Sequence, residues 1–560
     1  MRPDDQVCLA LDLGAATTAA SLLARLDGRW RFLGGVAFPA SVPTDAIAGV
    51  LAARLRAADP ALADQLAVDP GLESWPRLEA RTTPLPKMAV LAGSDRTLDR
   101  LIAAATRAGW QVTGASATRV DPLGMSNLLL RRDVDAVLAG SADPPGADER
   151  GVLGDIGSLV AAAAERRPEL TVVLAGALAE SAGRFEARTP SGSESGPADG
   201  TAGADQADAT ASAGRAAPAA LLLAPSPYLG EPAGEPLRAL LDDLRTTPAD
   251  GRRAIIRAVA DLAGVLERRV EVVGVGHDGG LRAVAEPVGA GPTARSTWAI
   301  STVGALVPQP IDDAIVDGVD RWIPLSLDRY RIRDRLAELR ATPWAGAQGD
   351  VAAFRLAAAR AAVARLVALT PELDRPTPDL VIAAGGVWSL APGPVIALAL
   401  ADAIRRPGAT QLAADLPGLL GPIGTIADPV LRRQVLADLV DDLVVPLGAL
   451  VMPAGVRPGR TAGRLVVQGS TGQTELDLVP GGLELVDLPP GESAIADLWF
   501  RDQVALGGVQ GRRFAVEVGG GLSGMLVDLR DVPLRLPERS ERRRELLDAW
   551  QRALWPGYEP

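Results

Sequence analysis

Cysteine, histidine and lysine each occur once in these 560 residues, as Cys8, His277 and Lys87, and each scarcity closes off a chemistry. One cysteine cannot form an intrachain disulfide, and one cysteine with one histidine cannot assemble the usual zinc sites. A Cys–His nucleophile pair would have to join two residues that both read as structural, Cys8 in a strand pattern and His277 in a glycine-rich surface turn. Lys87 lies between Pro86 and Met88, so no Gly-Lys-Ser/Thr phosphate loop exists. Aromatic residues make up only 3% of the chain against 48% hydrophobic, and all but one of the 57 basic side chains are arginine. Aliphatic cores and arginine-rich surfaces follow. A net charge of −12 disfavours nucleic acid and anionic membrane as partners. No uncharged apolar stretch approaches membrane-spanning length, and Met1-Arg2-Pro3-Asp4-Asp5 lacks the blocks of a signal peptide, so a cytoplasmic location is expected.

What remains is carboxylate, hydroxyl, backbone and arginine chemistry, which suits Mg²⁺ and phosphate. The opening run Val7 to Leu11 is unbroken and apolar, as a buried strand requires, and it leads through Asp12 into Gly14-Ala15-Ala16-Thr17-Thr18. Small residues let backbone N–H groups approach an anion, Thr17 and Thr18 add hydroxyls, and Asp12 would face a metal. A metal-bound phosphate site and a plain structural hairpin both fit this segment. A second strand from Thr17 to Leu23 closes at Asp27-Gly28, where a third begins.

Further strands end in small-residue turns. Val134 to Asp143 and Thr171 to Gly176 flank an Ala-rich helical stretch, a βαβ unit whose loops carry the acidic candidates Asp143, Asp148 and Glu149. Val270 to Gly276 turns at His277-Asp278-Gly279-Gly280 and returns from Leu281, repeating the opening hairpin and hinting at two pseudo-equivalent halves. Asp379 to Gly386 is another strand with a glycine turn, and Gly385 and Gly386 suit close backbone approach. From Val445, short apolar runs alternate with Pro-Gly and Gly-Gly turns, the pattern of a sandwich or barrel. The chain therefore divides, from its sequence, into an α/β lobe over 1–185, a disordered Ala/Gly/Ser/Asp-rich loop over 186–218, a second α/β lobe over 219–444, a β-rich domain over 445–537, and a helix and tail over 538–560.

Two strand–turn–strand units and a late strand ending in Gly-Gly resemble the two phosphate segments and the adenosine segment of the actin, sugar-kinase and Hsp70 class. More narrowly, the chain resembles the glutamate mutase L family. Leu11 to Gly14, Asp135 to Asp143, Val172 to Gly176 and Asp379 to Gly386 with Trp388, Ser389 and Pro392 carry the match. The run Gly520-Gly521-Leu522-Ser523-Gly524-Met525-Leu526-Val527-Asp528-Leu529-Arg530-Asp531-Val532-Pro533-Leu534-Arg535-Leu536-Pro537, followed by an Arg-rich helix and Trp550, is its most specific part. The resemblance implies two actin-like (ribonuclease H-like) lobes around a cleft that holds ATP and Mg²⁺. Asp12 would hold the metal, Gly14, Ala15, Ala16, Thr17 and Thr18 with Gly276, Asp278 and Gly279 the phosphates, and Gly385 and Gly386 the adenosine. It implies an accessory role toward an adenosylcobalamin-dependent mutase. The sequence departs from the family where Ser or Thr and a Lys would follow Gly14, and where Gly274 replaces the first Asp of the second phosphate segment. Catalysis needs a positioned water and a stabilised leaving charge, so at most a weak ATPase is expected. The other reading is a non-catalytic scaffold that keeps the fold and acts through protein contacts.

Overall fold

The structure is a computed structural model that describes residues 6–66, 75–182, 220–230, 234–245, 250–289, 293–343, 349–374, 376–457, 461–470 and 472–554. The stretch 186–218, expected to be a disordered loop, lies outside the described residues.

The first sheet is built from β1 (Val7–Leu13), β2 (Thr17–Leu26), β3 (Arg29–Pro39) and β4 (Arg77–Arg81), in the order β3-β2-β1-β4. β1 is antiparallel to β2 and parallel to β4. Its run Val7 to Leu11 is buried on both faces, as a central strand's must be. The β2–β3 hairpin turns at Asp27 and Gly28, with φ of 51° and 80°. Two left-handed residues make the tight turn whose twist matches the strands, and Asp-Gly is the pair that tolerates it. Ile47, Leu51 and Leu55 of the helix Thr44–Ala58 cover this sheet.

A separate compact unit spans Leu85–Thr246, between β4 and the helix Gly251–Leu266. Its strands β5 (Lys87–Ala92), β6 (Gln111–Ser116), β7 (Ala136–Gly140), β8 (Thr171–Ala175) and β9 (Leu221–Ala224) are all parallel, in the order β6-β5-β7-β8-β9. Helices Asp95–Arg107 and Glu235–Asp243 pack one face, and Pro122–Leu129 and Leu153–Arg166 the other. This is a doubly wound sheet, each crossover laying a helix on it. The expected boundaries at 185 and 219 are therefore corrected: residues 85–182 do not extend the first lobe, and 221–224 do not begin the second. Strand and helix periodicity locates elements but does not say which sheet each strand joins.

The remaining strands are β10 (Val270–Val275), β11 (Gly280–Pro287), β12 (Ala294–Ser301), β13 (Leu380–Ala384), β14 (Gly408–Ala414), β15 (Val445–Met452), β16 (Gly463–Gly469), β17 (Gly472–Leu478), β18 (Leu483–Val486), β19 (Ser493–Leu506), β20 (Val509–Gly519) and β21 (Met525–Asp528). One eight-stranded sheet runs β12-β11-β10-β13-β14-β15-β21-β18, and its first four strands repeat the order and directions of the first sheet. The sheet crosses the expected boundary at 445, because β15, β21 and β18 continue it. What stands as a purely antiparallel layer is β17-β16-β19-β20. Alternation along β19 places Ala494, Ala496, Leu498 and Phe500 inward against Ala449, Val451, Met525 and Val527.

The segment after β21 is pinned by charge. Arg530, 2% exposed, donates from Nη1 to Asp402 at 2.6 Å and from Nε and Nη2 to Asp528 at 2.9 and 2.7 Å. Its guanidinium lies 4.4 Å from the ring centroid of Trp550 on the last helix, Ser540–Leu554. Arg360 pairs with the other oxygen of Asp402 at 2.8 Å, and Arg405 also binds Asp528. Arg530→Met leaves buried carboxylates short of a cation and is expected to cost about 3–5 kcal/mol in urea unfolding, whereas Arg464→Ala, which breaks an exposed pair with Glu475, changes stability by less than about 1 kcal/mol.

Candidate functional site

Both repeated hairpins turn in the same way. The Gly14 N–H donates to Thr17 O at 2.8 Å, and the Gly276 N–H donates to Gly279 O at 3.0 Å. A Cβ on Gly14 would stand 2.8 Å from Thr17 O and one on Gly276 2.7 Å from Gly279 O, so both turns demand glycine. The register extends the equivalence. Asp12 faces Ala19 and lies beside Ala80, while Gly274 faces Leu281 and lies beside Ala384. Asp12 and Gly274 are thus counterparts, and Asp278 corresponds to Ala16 in the turn. The packing differs as well: a Cβ at Gly274 would meet Leu281 Cγ at 3.0 Å, so the leucine would have to give by a few tenths of an ångström, whereas the counterpart of Leu281 is the small Ala19.

The two turns open onto one cleft of about 730 Å³, counting its open solvent. It is lined by Asp12, Gly14, Ala15, Ala16 and Thr17 from the first half, and by Gly276, Gly279, Gly385 and Gly386 from the second. Gly385 has φ +99°, and its Cβ would fall 2.4 Å from Val275 O. A Cβ on Gly386 would fall 1.9 Å from Thr17 Oγ1, so the first turn and the β13 turn meet closely. Thr18 and Asp278, expected at the site, do not line this cleft. Thr18 is 3% exposed, because the strand's alternation turns it away from the cleft. Asp278 pairs instead with Arg340, 3.5 Å away, and lies 3.8 Å from the His277 ring. His277, read as a surface turn residue, is half-buried and lines the cleft; burial outweighs Asp278 and lowers its pKa. Asp143, Asp148 and Glu149 belong to the inserted unit, where Glu149 is buried and accepts from Ser94 Oγ at 2.8 Å and the Ala142 N–H at 3.1 Å.

Three participants escaped sequence reasoning: Asp415, Arg252 and Arg355. Asp415 follows β14 and accepts the N–H groups of Leu419 and Leu420 at 2.8 and 3.1 Å. Its turn passes under Asp12, for a Cβ on Gly418 would lie 3.7 Å from Asp12 Oδ2. The signal was available, since Ala414-Asp415-Leu416-Pro417-Gly418 repeats the strand, carboxylate and turn order of the opening. Arg252 and Arg355 sit inside helices, where nothing in the pattern marks them. Burial first, then Asp415, raises the Asp12 carboxyl to about 7, with Arg252 opposing, and burial raises Asp415 to about 6 despite its backbone donors. Among the described residues no hydrogen bond reaches the Asp12 carboxylate, and no group of three or more His, Cys, Asp or Glu is placed to hold a metal. A Mg²⁺ here would take one protein carboxylate and fill its octahedron from phosphate and water, a donor set this ion accepts.

Strand order and directions define the class: an α/β protein with two actin-like, ribonuclease H-like lobes and late β-rich strands. No protein-family model matches the chain, and no curated protein matches it. Among solved structures it is similar to nucleotide-free acetone carboxylase, at 11% identity and TM-score 0.27 over 75% of this chain and 70% of that one. It is also similar to the PilM-PilN type IV pilus biogenesis complex, at 13% and 0.22 over 76% and 98%. A ligand-bound xylulose kinase from Lactobacillus acidophilus gives 10% and 0.22 over 77% and 92%. At such scores the fold rests on the strand order above. Among the described residues no helix is long and apolar enough to cross a membrane.

Asp12 and Asp415 titrate upward in the folded state, so the stability tied to them is full below about pH 4 and is lost as pH rises toward 7. Asp12→Asn removes the larger part. The Tm of the variant minus that of the wild type should therefore climb between pH 4 and 8, by a few kcal/mol at about 1.4 kcal/mol per pH unit, or on the order of 5 °C for a chain of this size, and level off above about pH 8. A flat difference throughout would deny the upward shift.

Proposed function

We propose that this protein is a nucleotide-binding accessory protein of the glutamate mutase L type, which assists or reactivates an adenosylcobalamin-dependent mutase. The observation that carries the nucleotide part is the pair of equivalent glycine turns facing one cleft with Asp12 between them and the Gly385–Gly386 turn beside them. In this reading the N–H groups of both turns and the Thr17 hydroxyl hold phosphates, Asp12 holds Mg²⁺, and the β13 turn holds the adenosine. Closure of two lobes on a nucleotide is an ordinary way to turn ligand state into motion. The partner rests on the sequence resemblance, above all the segment from Gly520 to Pro537.

Binding without turnover suits the site better than hydrolysis. Gly274 leaves the second hairpin with no carboxylate at the counterpart of Asp12, and Leu281 crowds that position. The same observation favours the second reading, a scaffold that retains the fold without using nucleotide. Calorimetry with Mg-ATP separates the two. The wild type should bind with a Kd below about 1 mM and Asp12→Ala at least about tenfold more weakly, a loss of about 1.4 kcal/mol or more. No heat from the wild type at millimolar ATP would leave the scaffold. Affinity capture of a cobalamin-dependent mutase by the tagged protein tests the partner, and failure to recover one removes it.

A further inference from the structure

Arg355 lies on the helix Gly349–Leu369, between the buried Phe354 and Leu356, and is itself only 7% exposed. It lines the cleft together with Pro343, Val387, Gly385 and Gly386. Its Nη1 donates to Pro343 O and its Nη2 to Val387 O at 3.2 Å. A guanidinium carries five N–H donors, so these two bonds leave others for the cleft. No carboxylate pairs with it among the described residues, and burial alone lowers its pKa.

That isolation contrasts with the treatment of other buried arginines in the same unit. Arg360, five residues on, pairs with Asp402 at 2.8 Å, Arg282 with Glu271 at 2.8 Å, and Arg530 with Asp528 at 2.7 Å. Even Arg365, which donates to the carbonyls of Val303 and Ala305, has Asp312 in its field. Burying a cation without an anion is costly, and carbonyl dipoles return only part of the lost hydration. A cation left so in the wall of an open cleft is compensated when an oxyanion enters it. The fork of a guanidinium matches a phosphate edge to edge.

We propose that Arg355 is a second anion anchor of the cleft, binding a phosphate group of the ligand whose adenosine lies on the neighbouring Gly385–Gly386 turn, so that the ligand class is a nucleoside polyphosphate rather than a nucleoside. The assignment rests on the nucleotide reading above. It makes the cleft read the ligand's charge from two sides, through Asp12 and its cation on one and through Arg355 directly on the other.

The test is calorimetry on the full-length protein with Mg-ATP, adenosine and pyrophosphate. Arg355→Gln keeps a donor for the carbonyls and removes the charge; it should bind ATP about tenfold to a hundredfold more weakly while adenosine stays within about twofold. Arg355→Lys keeps the charge without the fork and should lose less for ATP, again with adenosine unchanged. Either variant, folded by its thermal melt and binding ATP as the wild type does, overturns the assignment and leaves Arg355 as a tie between Pro343 and Val387. If the wild type binds neither ATP nor adenosine, the nucleotide reading has failed and pyrophosphate decides Arg355 alone. Binding to the wild type that either variant weakens keeps the anion site, and equal or absent binding removes it.

Discussion

One backbone hydrogen bond, made twice, sets the geometry on which the cleft depends. Where Gly14 N–H reaches Thr17 O and Gly276 N–H reaches Gly279 O, the chain reverses within a space that no Cβ can share. Each reversal leaves a central strand ending at the cleft with its neighbour parallel, β4 beside β1 and β13 beside β10. Ligand sites of open α/β sheets form outside the carboxyl ends of such strands. The two halves then part company. Small Ala19 leaves room for Asp12, and Leu281 takes that room from residue 274. The asymmetry of the site thus coincides with a difference in size at one residue in each second strand.

Charge in the interior follows a rule set by composition. With a single lysine, every buried cation of the core is an arginine, and several are matched to carboxylates: Arg282 to Glu271, Arg360 and Arg530 to Asp402, Arg405 and Arg530 to Asp528. Arginine suits this because its planar fork satisfies a carboxylate edge to edge and its weaker hydration lowers the cost of burial. Asp402 sits on the helix Gly393–Ala403 and Asp528 on β21, so the pairs tie together helix, sheet and the C-terminal helix through Trp550. The Val527-Asp528-Leu529-Arg530 run that marks the resemblance is, in physical terms, this clamp.

The strands that build the cleft were legible because buried central strands are unbroken apolar runs and their turns use glycine. Val7 to Leu11, Val270 to Val275 and Leu380 to Ala384 all show this, as does the repeat of the hairpin. The absence of a carboxylate at Gly274 could also be read, while its contact with Leu281 needed the register. Sheet membership could not be read: β9, Leu221–Ala224, looks like the start of a lobe and pairs with β8. Nor could β15 be told from the β-rich strands that follow, since edge and centre of a sheet share composition. Arg252 and Arg355 were silent because a helical arginine is normally a solvated one. Thr18 and Asp278 were over-read, since proximity in a turn does not fix which way alternate side chains face.

The inserted unit leaves the first lobe whole because the chain departs and returns at nearly the same point. β4 ends at Arg81, and Asp250 makes a parallel bridge back to Arg81, standing where a fifth strand of the repeat would begin. Asp250 then caps the helix Gly251–Leu266 through the Arg252 N–H at 3.1 Å. Arg252 is the second residue of that helix, donates to Thr83 O at 2.9 Å, and lines the cleft close enough to lower the Asp12 carboxyl. Thr82, whose N–H donates to Leu13 O at 2.9 Å, lines it from the outgoing strand. The departure and return of the insertion therefore flank Asp12. Residues that close the lobe across the insertion are the same ones that set the charge around Asp12, so the site's electrostatics and the continuity of its scaffold cannot be altered independently.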